Sequence, residues 1–153
     1  VREVVTPRQP LRVIVDSRLE PPPAARILQG GGVLIAAAVD DPEKAALLRS
    51  TGAEILFLPN ADGKVDLREL MIALGQRGIN EVHAEAGFKL NGSLLREGLV
   101  DELLLYLAPC LIGDQASGLF NLPELTTLSG KRNLQIRDLR QLGSDIRLIA
   151  RPS

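Results

Sequence analysis

The chain has 153 residues, 45% of them hydrophobic, with 18 Lys and Arg against 19 Asp and Glu. That is the size and balance of one globular domain with a sizeable core. The two signs are interspersed without a basic stripe, and the aromatics are only Phe57, Phe88, Phe120 and Tyr106, which excludes nucleic-acid binding by charge or by base stacking.

Residues 1–10 are polar, carry Pro7 and Pro10, and read as an incoming linker; the chain opens on Val1, not Met, as in a domain cut from a longer protein. Leu11–Asp16 is a β-branched run expected as a strand, and Pro21–Pro23 stops it. Leu28–Gly32 is a glycine-rich turn. Val33–Val39 is a continuous apolar run, as a strand buried on both faces requires. A helix then opens cleanly, with Asp41 as cap, Pro42 in the first helical position and Glu43 favouring the dipole; it runs to Thr51, before Gly52. Glu54–Leu58 is the next strand and Asp62-Gly63 a turn. Asp66 with Glu69 resembles a capping box ahead of a second helix, whose apolar positions Leu67, Leu70, Met71 and Leu74 share a face and which Gly78 ends.

Asn80–Ala86 is expected as a strand, and Phe88–Glu97 as a helix with Leu90, Leu94 and Leu95 on one side and Gly98 as its stop. Val100–Ala108 is an apolar strand, and residues 113–132 are irregular. The end reads as a hairpin turning at Gly143-Ser144, with Leu134 and Ile136 facing inward on one arm and Ile146 and Leu148 on the other. Alternating strands and helices predict an α/β domain with a mixed, mainly parallel sheet flanked by helices and a C-terminal antiparallel hairpin.

One cysteine, Cys110, rules out an intrachain disulfide and fits a reducing compartment. No apolar run approaches the roughly 20 residues of a membrane-spanning helix, and no signal-peptide pattern is present. The expected location is the cytoplasm.

The chemistry concentrates in Asn80–Leu95, where a strand ends at Glu85 and glycine at 87 opens a helix at once. Such a turn brings backbone N–H groups and the positive end of the helix dipole to a phosphate, beyond the carboxyl end of a strand, where ligands of open α/β sheets bind. Gly87 and Gly92 have P-loop spacing, but Ser93 follows directly and the lysine is absent; GxGxxG is absent too. On spacing alone, Gly87 reads first as a helix-start glycine. Glu85 is either a structural carboxylate capping that helix or a ligand contact, and both readings stand. Asp16-Ser17 reads first as a turn initiator, with contact to a ribose or phosphate as the functional alternative. His83 shares a face with Glu85 and reads as a satisfied core or cleft histidine. Cys110 has no second Cys or His near it, so it reads as a small buried hydrophobe and no metal site is expected.

The stretch HAEAGFKLNGSLLREGLVDELLLYLAPCLIG, residues 83–113, together with QPLRVIVDSRL at 9–19 and ASGLFNLP at 116–123, resembles the C-terminal reductase domain of the bifunctional riboflavin-biosynthesis deaminase–reductase. The resemblance implies a dihydrofolate-reductase-like fold over residues 1–153 that binds NADPH without a GxGxxG loop. It implies reduction of 5-amino-6-(5-phosphoribosylamino)uracil by hydride transfer to C1′ of the opened ribose. It makes Glu85 the substrate-contacting residue and gives Ser17, Gly87, Phe88, Lys89, Leu90, Asn91, Gly92 and Ser93 to the cofactor, with Arg18 a 2′-phosphate candidate by adjacency. It further implies a homodimer, fused to an upstream zinc deaminase domain whose H-x-E…P-C-x-x-C site a chain with one His and one Cys cannot build. In this pattern the reductase domain is incomplete at its N-terminus: a first strand, a cofactor loop and a phosphate-gripping arginine precede Val1. Phe88 stands where the family often has a small residue or proline, and Asp114 replaces the second glycine of a pair. The alternatives are a reductase of the related diaminopyrimidinone, or a non-catalytic nucleotide-binding or dimerisation fragment.

Overall fold

The apolar run in the first half of the chain becomes β2 (Val33–Ala37), and every one of its five residues is buried. In the computed structural model, which describes residues 9–113 and 115–153, the chain divides after Asn80 into two compact units. Most of the expected linker and the Asp114 position lie outside the described residues.

In the first unit β2 is the central strand of a parallel sheet, ordered β1 (Arg12–Val15), β2, β3 (Glu54–Phe57). Successive side chains of β2 point to opposite faces. Val33, Ile35 and Ala37 pack with Leu19, Leu28, Ala45, Leu48 and Ile55, while Leu34 and Ala36 on the other face are equally sealed. Between β1 and β2 the chain makes a single 3-10 turn, Arg26–Leu28. The Arg12 guanidinium then donates to the carbonyls of Ile27, at 2.7 Å, and Gly31, which fixes the glycine-rich turn against the start of β1.

Two helices follow the capping logic of the sequence. In α1 (Pro42–Arg49) the Asp41 carboxylate accepts from Lys44 N–H at 3.1 Å. In α2 (Leu67–Gln76) Asp66 accepts from Glu69 N–H at 3.0 Å. Leu67, Leu70 and Leu74 are buried and Met71 is half-buried, the expected stripe. Arg77, just past α2, forks onto both carboxylate oxygens of Glu54 in β3. That hydrogen-bonded guanidinium holds the Glu54 carboxyl below the usual range. Asp66→Ala is expected to destabilise the fold by about 1 kcal/mol, the ordinary cost of losing an N-cap; an unshifted urea midpoint would show that the cap contributes nothing.

In the second unit β4 (Leu103–Leu107), β6 (Asp145–Pro152) and β5 (Leu134–Leu142) form an antiparallel sheet in the order β4-β6-β5. The hairpin turns at Gly143-Ser144 as expected, Leu142 pairing with Asp145 across it. A bulge between Ile136 and Asp138 shifts the register. Asp138 receives Arg147 from β6 at 2.5 Å and Arg140 at 3.1 Å, and the hydrogen bond from Arg147 is the main cause of its lowered pKa. Helix α3 (Phe88–Arg96) precedes this sheet and buries Gly92, Leu94 and Leu95, with Leu90 half-buried.

Three expectations are corrected. Asn80–Ala86 belongs to no sheet, and among the described residues none of its backbone groups bonds to another backbone group. An alternating pattern lets a segment extend, but a strand exists only as a ladder with a neighbour; Val82 is accordingly 45% exposed. Leu134 and Ile136 are not buried: they are 45% and 58% exposed, because the face they share by register with the buried Leu103 and Ala150 is covered only in part. Cys110 is an exposed free thiol, not a buried hydrophobe, since it lies in the irregular chain after β4.

Candidate functional site

In the first unit the parallel strands end together, and Ser17 is the residue that links them. Its carbonyl accepts from Ala38 N–H at 3.1 Å and Val39 N–H at 2.9 Å, just past β2. Its Oγ accepts from Val65 N–H at 3.2 Å, ahead of α2. The Ser17 hydroxyl oxygen, which has two lone pairs, is engaged here as an acceptor. Asp16 takes the other course. Its carboxylate oxygens accept from Arg18 N–H at 3.0 Å and Glu20 N–H at 2.9 Å, the turn-initiator role read from sequence. That bracket surrounds Leu19, which is buried at a left-handed φ of 56°, a conformation a leucine holds only when its surroundings enforce it. The Arg18 guanidinium is exposed and meets Glu20 at 3.2 Å, while the Lys44 ammonium donates to the Arg18 carbonyl at 3.3 Å.

In the second unit the expected helix start after Gly87 is present although the expected strand is not. Glu85 projects into solvent, its side chain 86% exposed, with the His83 imidazole 3.5 Å away. Gly87 is the N-cap of α3; no side chain caps that helix and its first turn contains no acid. The two other helices are closed by Asp41 and Asp66 and carry Glu43 and Glu69. The first turn of α3 carries Lys89 instead. The N–H groups of Phe88, Lys89 and Leu90 precede the first helical hydrogen bond, which runs from Asn91 N–H to the Gly87 carbonyl at 3.1 Å. Gly87 has an ordinary φ of −75° and open space where a Cβ would stand.

The run from Gly87 to Ser93 therefore divides. Its first four residues present an open helix end, a donor set whose chemistry suits a phosphate. Its last three face the chain itself. The Asn91 amide donates to the Ala86 carbonyl at 3.0 Å and reaches the Leu119 carbonyl at 3.5 Å. Ser93 Oγ donates to the Lys89 carbonyl at 3.2 Å and accepts from Arg96 at 2.9 Å. Arg96 also donates to the Asn121 carbonyl, and Asn121 N–H donates to the Phe88 carbonyl at 2.9 Å. A Cβ on Gly92 would stand 2.6 Å from Asn121 N and 2.8 Å from its carbonyl carbon. Residues 119–121 thus form a strap across α3. The sequence reading missed it; its one visible signal is a glycine in the middle of a helix, which marks a close approach. No group of three or more metal-ligating side chains occurs among the described residues, and no helix among them is long and apolar enough to cross a membrane.

Known proteins resemble the chain along almost its whole length. The family model described as the RibD C-terminal domain matches residues 1–148. The riboflavin biosynthesis protein RibD of Haemophilus influenzae is 40% identical over 147 residues, covering 95% of this chain and 38% of that protein. The 5-amino-6-(5-phosphoribosylamino)uracil reductase of Buchnera aphidicola is 39% identical over 89 residues, 58% of this chain and 43% of that one. Among solved structures, RibD of Acinetobacter baumannii superposes with a TM-score of 0.79 at 30% identity, over 94% of this chain and 38% of that chain. The chain thus spans about two fifths of the length of these relatives. Its α/β architecture, among the described residues a parallel sheet and an antiparallel sheet with three helices, is the dihydrofolate-reductase-like fold of the RibD reductase domains. On the family match and the Haemophilus relative together, the chain belongs to the RibD C-terminal domain family.

Proposed function

We propose that this chain is the reductase domain of a riboflavin-biosynthesis enzyme, acting on 5-amino-6-(5-phosphoribosylamino)uracil with NADPH. The family and the reductase named in Buchnera support the reaction. The observation that carries the cofactor assignment is the open N-terminus of α3 beside Glu85: among the described residues, α1 and α2 have an acidic cap and an acid in the first turn, and α3 has neither.

The residues fit the group. Main-chain N–H groups of Phe88, Lys89 and Leu90 and the dipole of α3 favour an anionic pyrophosphate. Gly87 keeps the approach free of a side chain and the Lys89 ammonium adds charge; Ser17 is assigned to the cofactor on the family pattern. Within the same run, Asn91, Gly92 and Ser93 shape the turn. When bound, NADPH supplies the hydride that reduces C1′ of the opened ribose. The chain's own contribution is placement: Glu85 accepts hydrogen bonds from the pyrimidine substrate and orients it for transfer.

The same proposal places residues 1–153 in a single reductase domain that follows a zinc deaminase in the same cytoplasmic protein. It also makes the protein a homodimer. Leu107, Leu134, Ile136, Leu139 and Ile146 share one face of the antiparallel sheet by register and are each 40–58% exposed, an apolar surface suited to a second copy.

The test is a titration of NADPH into the complete protein, followed by nicotinamide fluorescence, with NADH as the comparison. Saturable binding that prefers NADPH, and oxidation of NADPH only when the pyrimidine is added, are the expected results. A folded protein that does not saturate would overturn the cofactor assignment.

A further inference from the structure

We infer that Asn91 is a positioning residue for Glu85. This rests on the proposed reductase reading, in which Glu85 orients the substrate. Residues 80–86 have no backbone ladder to hold them among the described residues, so the direction in which Glu85 points depends on what anchors the following peptide. That anchor is Asn91. Its Nδ2 donates to the carbonyl of Ala86, the residue directly after Glu85, from one turn inside α3. Arg96 and Ser93 do not reach the turn; they hold the strap.

The strap in turn holds Asn91. The second Nδ2 hydrogen faces the Leu119 carbonyl, and residues 119–121 are fixed to the helix by three further contacts. Asn121 N–H bonds to the Phe88 carbonyl, Arg96 bonds to the Asn121 carbonyl, and Gly92 lets the Asn121 backbone lie against the helix. With both amide hydrogens used, the Asn91 side chain has one orientation that satisfies them. The chain of support is therefore strap, Asn91, Ala86 carbonyl, Glu85. Cofactor N–H donors at Phe88, Lys89 and Leu90 belong to the helix and do not depend on this amide.

The separation gives a kinetic signature. In the complete protein, Asn91→Ala is expected to lower kcat about tenfold, the size of effect that a small misplacement of an orienting group produces, while the NADPH dissociation constant stays within about twofold. Alanine is the stronger helix former, so loss of the helix is not the expected cause. Asn91→Leu removes both donors without adding a charge beside the cofactor donors and should match it. The deciding measurement is the double variant Glu85→Gln/Asn91→Ala. If Asn91 acts through Glu85, the double variant is no slower than Glu85→Gln alone. Wild-type kcat in either folded Asn91 variant, multiplying effects in the double variant, or a tenfold weaker NADPH affinity would each overturn the assignment. Absence of NADPH-dependent turnover in the unmutated protein would be a different result, failing the proposed function itself.

Discussion

Gly92→Ala is expected to lower stability by about 2 kcal/mol, although alanine is the better helix residue by about 1 kcal/mol. The two effects have opposite signs, and the strap decides between them. A methyl group at 92 would lie within 2.8 Å of backbone atoms of Asn121. Those atoms are pinned by the bonds to Phe88 and Arg96, so they cannot yield as the tip of a flexible side chain does. Gly75 supplies the control. It lies in α2 with nothing within 4 Å of a Cβ and no left-handed φ, so Gly75→Ala is expected to stabilise by up to about 1 kcal/mol. Urea denaturation of the two variants should therefore shift the midpoint in opposite directions. A gain in stability for Gly92→Ala would mean that the strap does not rest on the helix.

Features whose physics is local were readable from the chain. Asp41-Pro42-Glu43 and Asp66 with Glu69 each place a cap, its acceptor geometry and the following helix within four residues, and both caps form. The unbroken apolar run at 33–37 has one stable destination, the centre of a parallel sheet, and it is found there. The helix start at Gly87 was legible because a glycine and a helical pattern are adjacent in sequence. The strap was not, because its contacts join residues up to 33 apart (Phe88 with Asn121) through backbone carbonyls and amides, which every residue carries and no pattern advertises. The segment 80–86 failed for the complementary reason: its alternation is a property of the segment, whereas its pairing belongs to a neighbour that the pattern cannot name. Cys110 was misplaced on a residue-type tendency alone, with no periodic context around it to fix its side.

Glu85→Gln in the complete protein is expected to reduce kcat and kcat/KM together by about a hundredfold, the cost of misorienting a substrate at the reacting centre, while changing stability by less than about 0.5 kcal/mol. The structure separates these two quantities. The Glu85 side chain is 86% exposed, touches only the His83 imidazole at 3.5 Å among the described residues, and caps no helix. Of the two readings that the sequence left open, the structural one therefore has no contact to support it. An exposed carboxylate beside an open helix start, with no fold-stabilising bond among the described residues, is the arrangement that the proposed substrate-orienting role requires. Glutamine preserves the length and one acceptor oxygen but replaces the second with an N–H₂ donor. A substrate amine or hydroxyl that donates to both oxygens then meets a donor in place of an acceptor. Equal losses in kcat and kcat/KM mark an interaction made in the transition state; a raised KM with kcat intact would instead assign Glu85 to ground-state binding, and unchanged kinetics would remove it from the site. Because Asp41 and Asp66 cap their helices while Glu85 caps none, charge removal at 85 should register in turnover and leave the urea midpoint where it was.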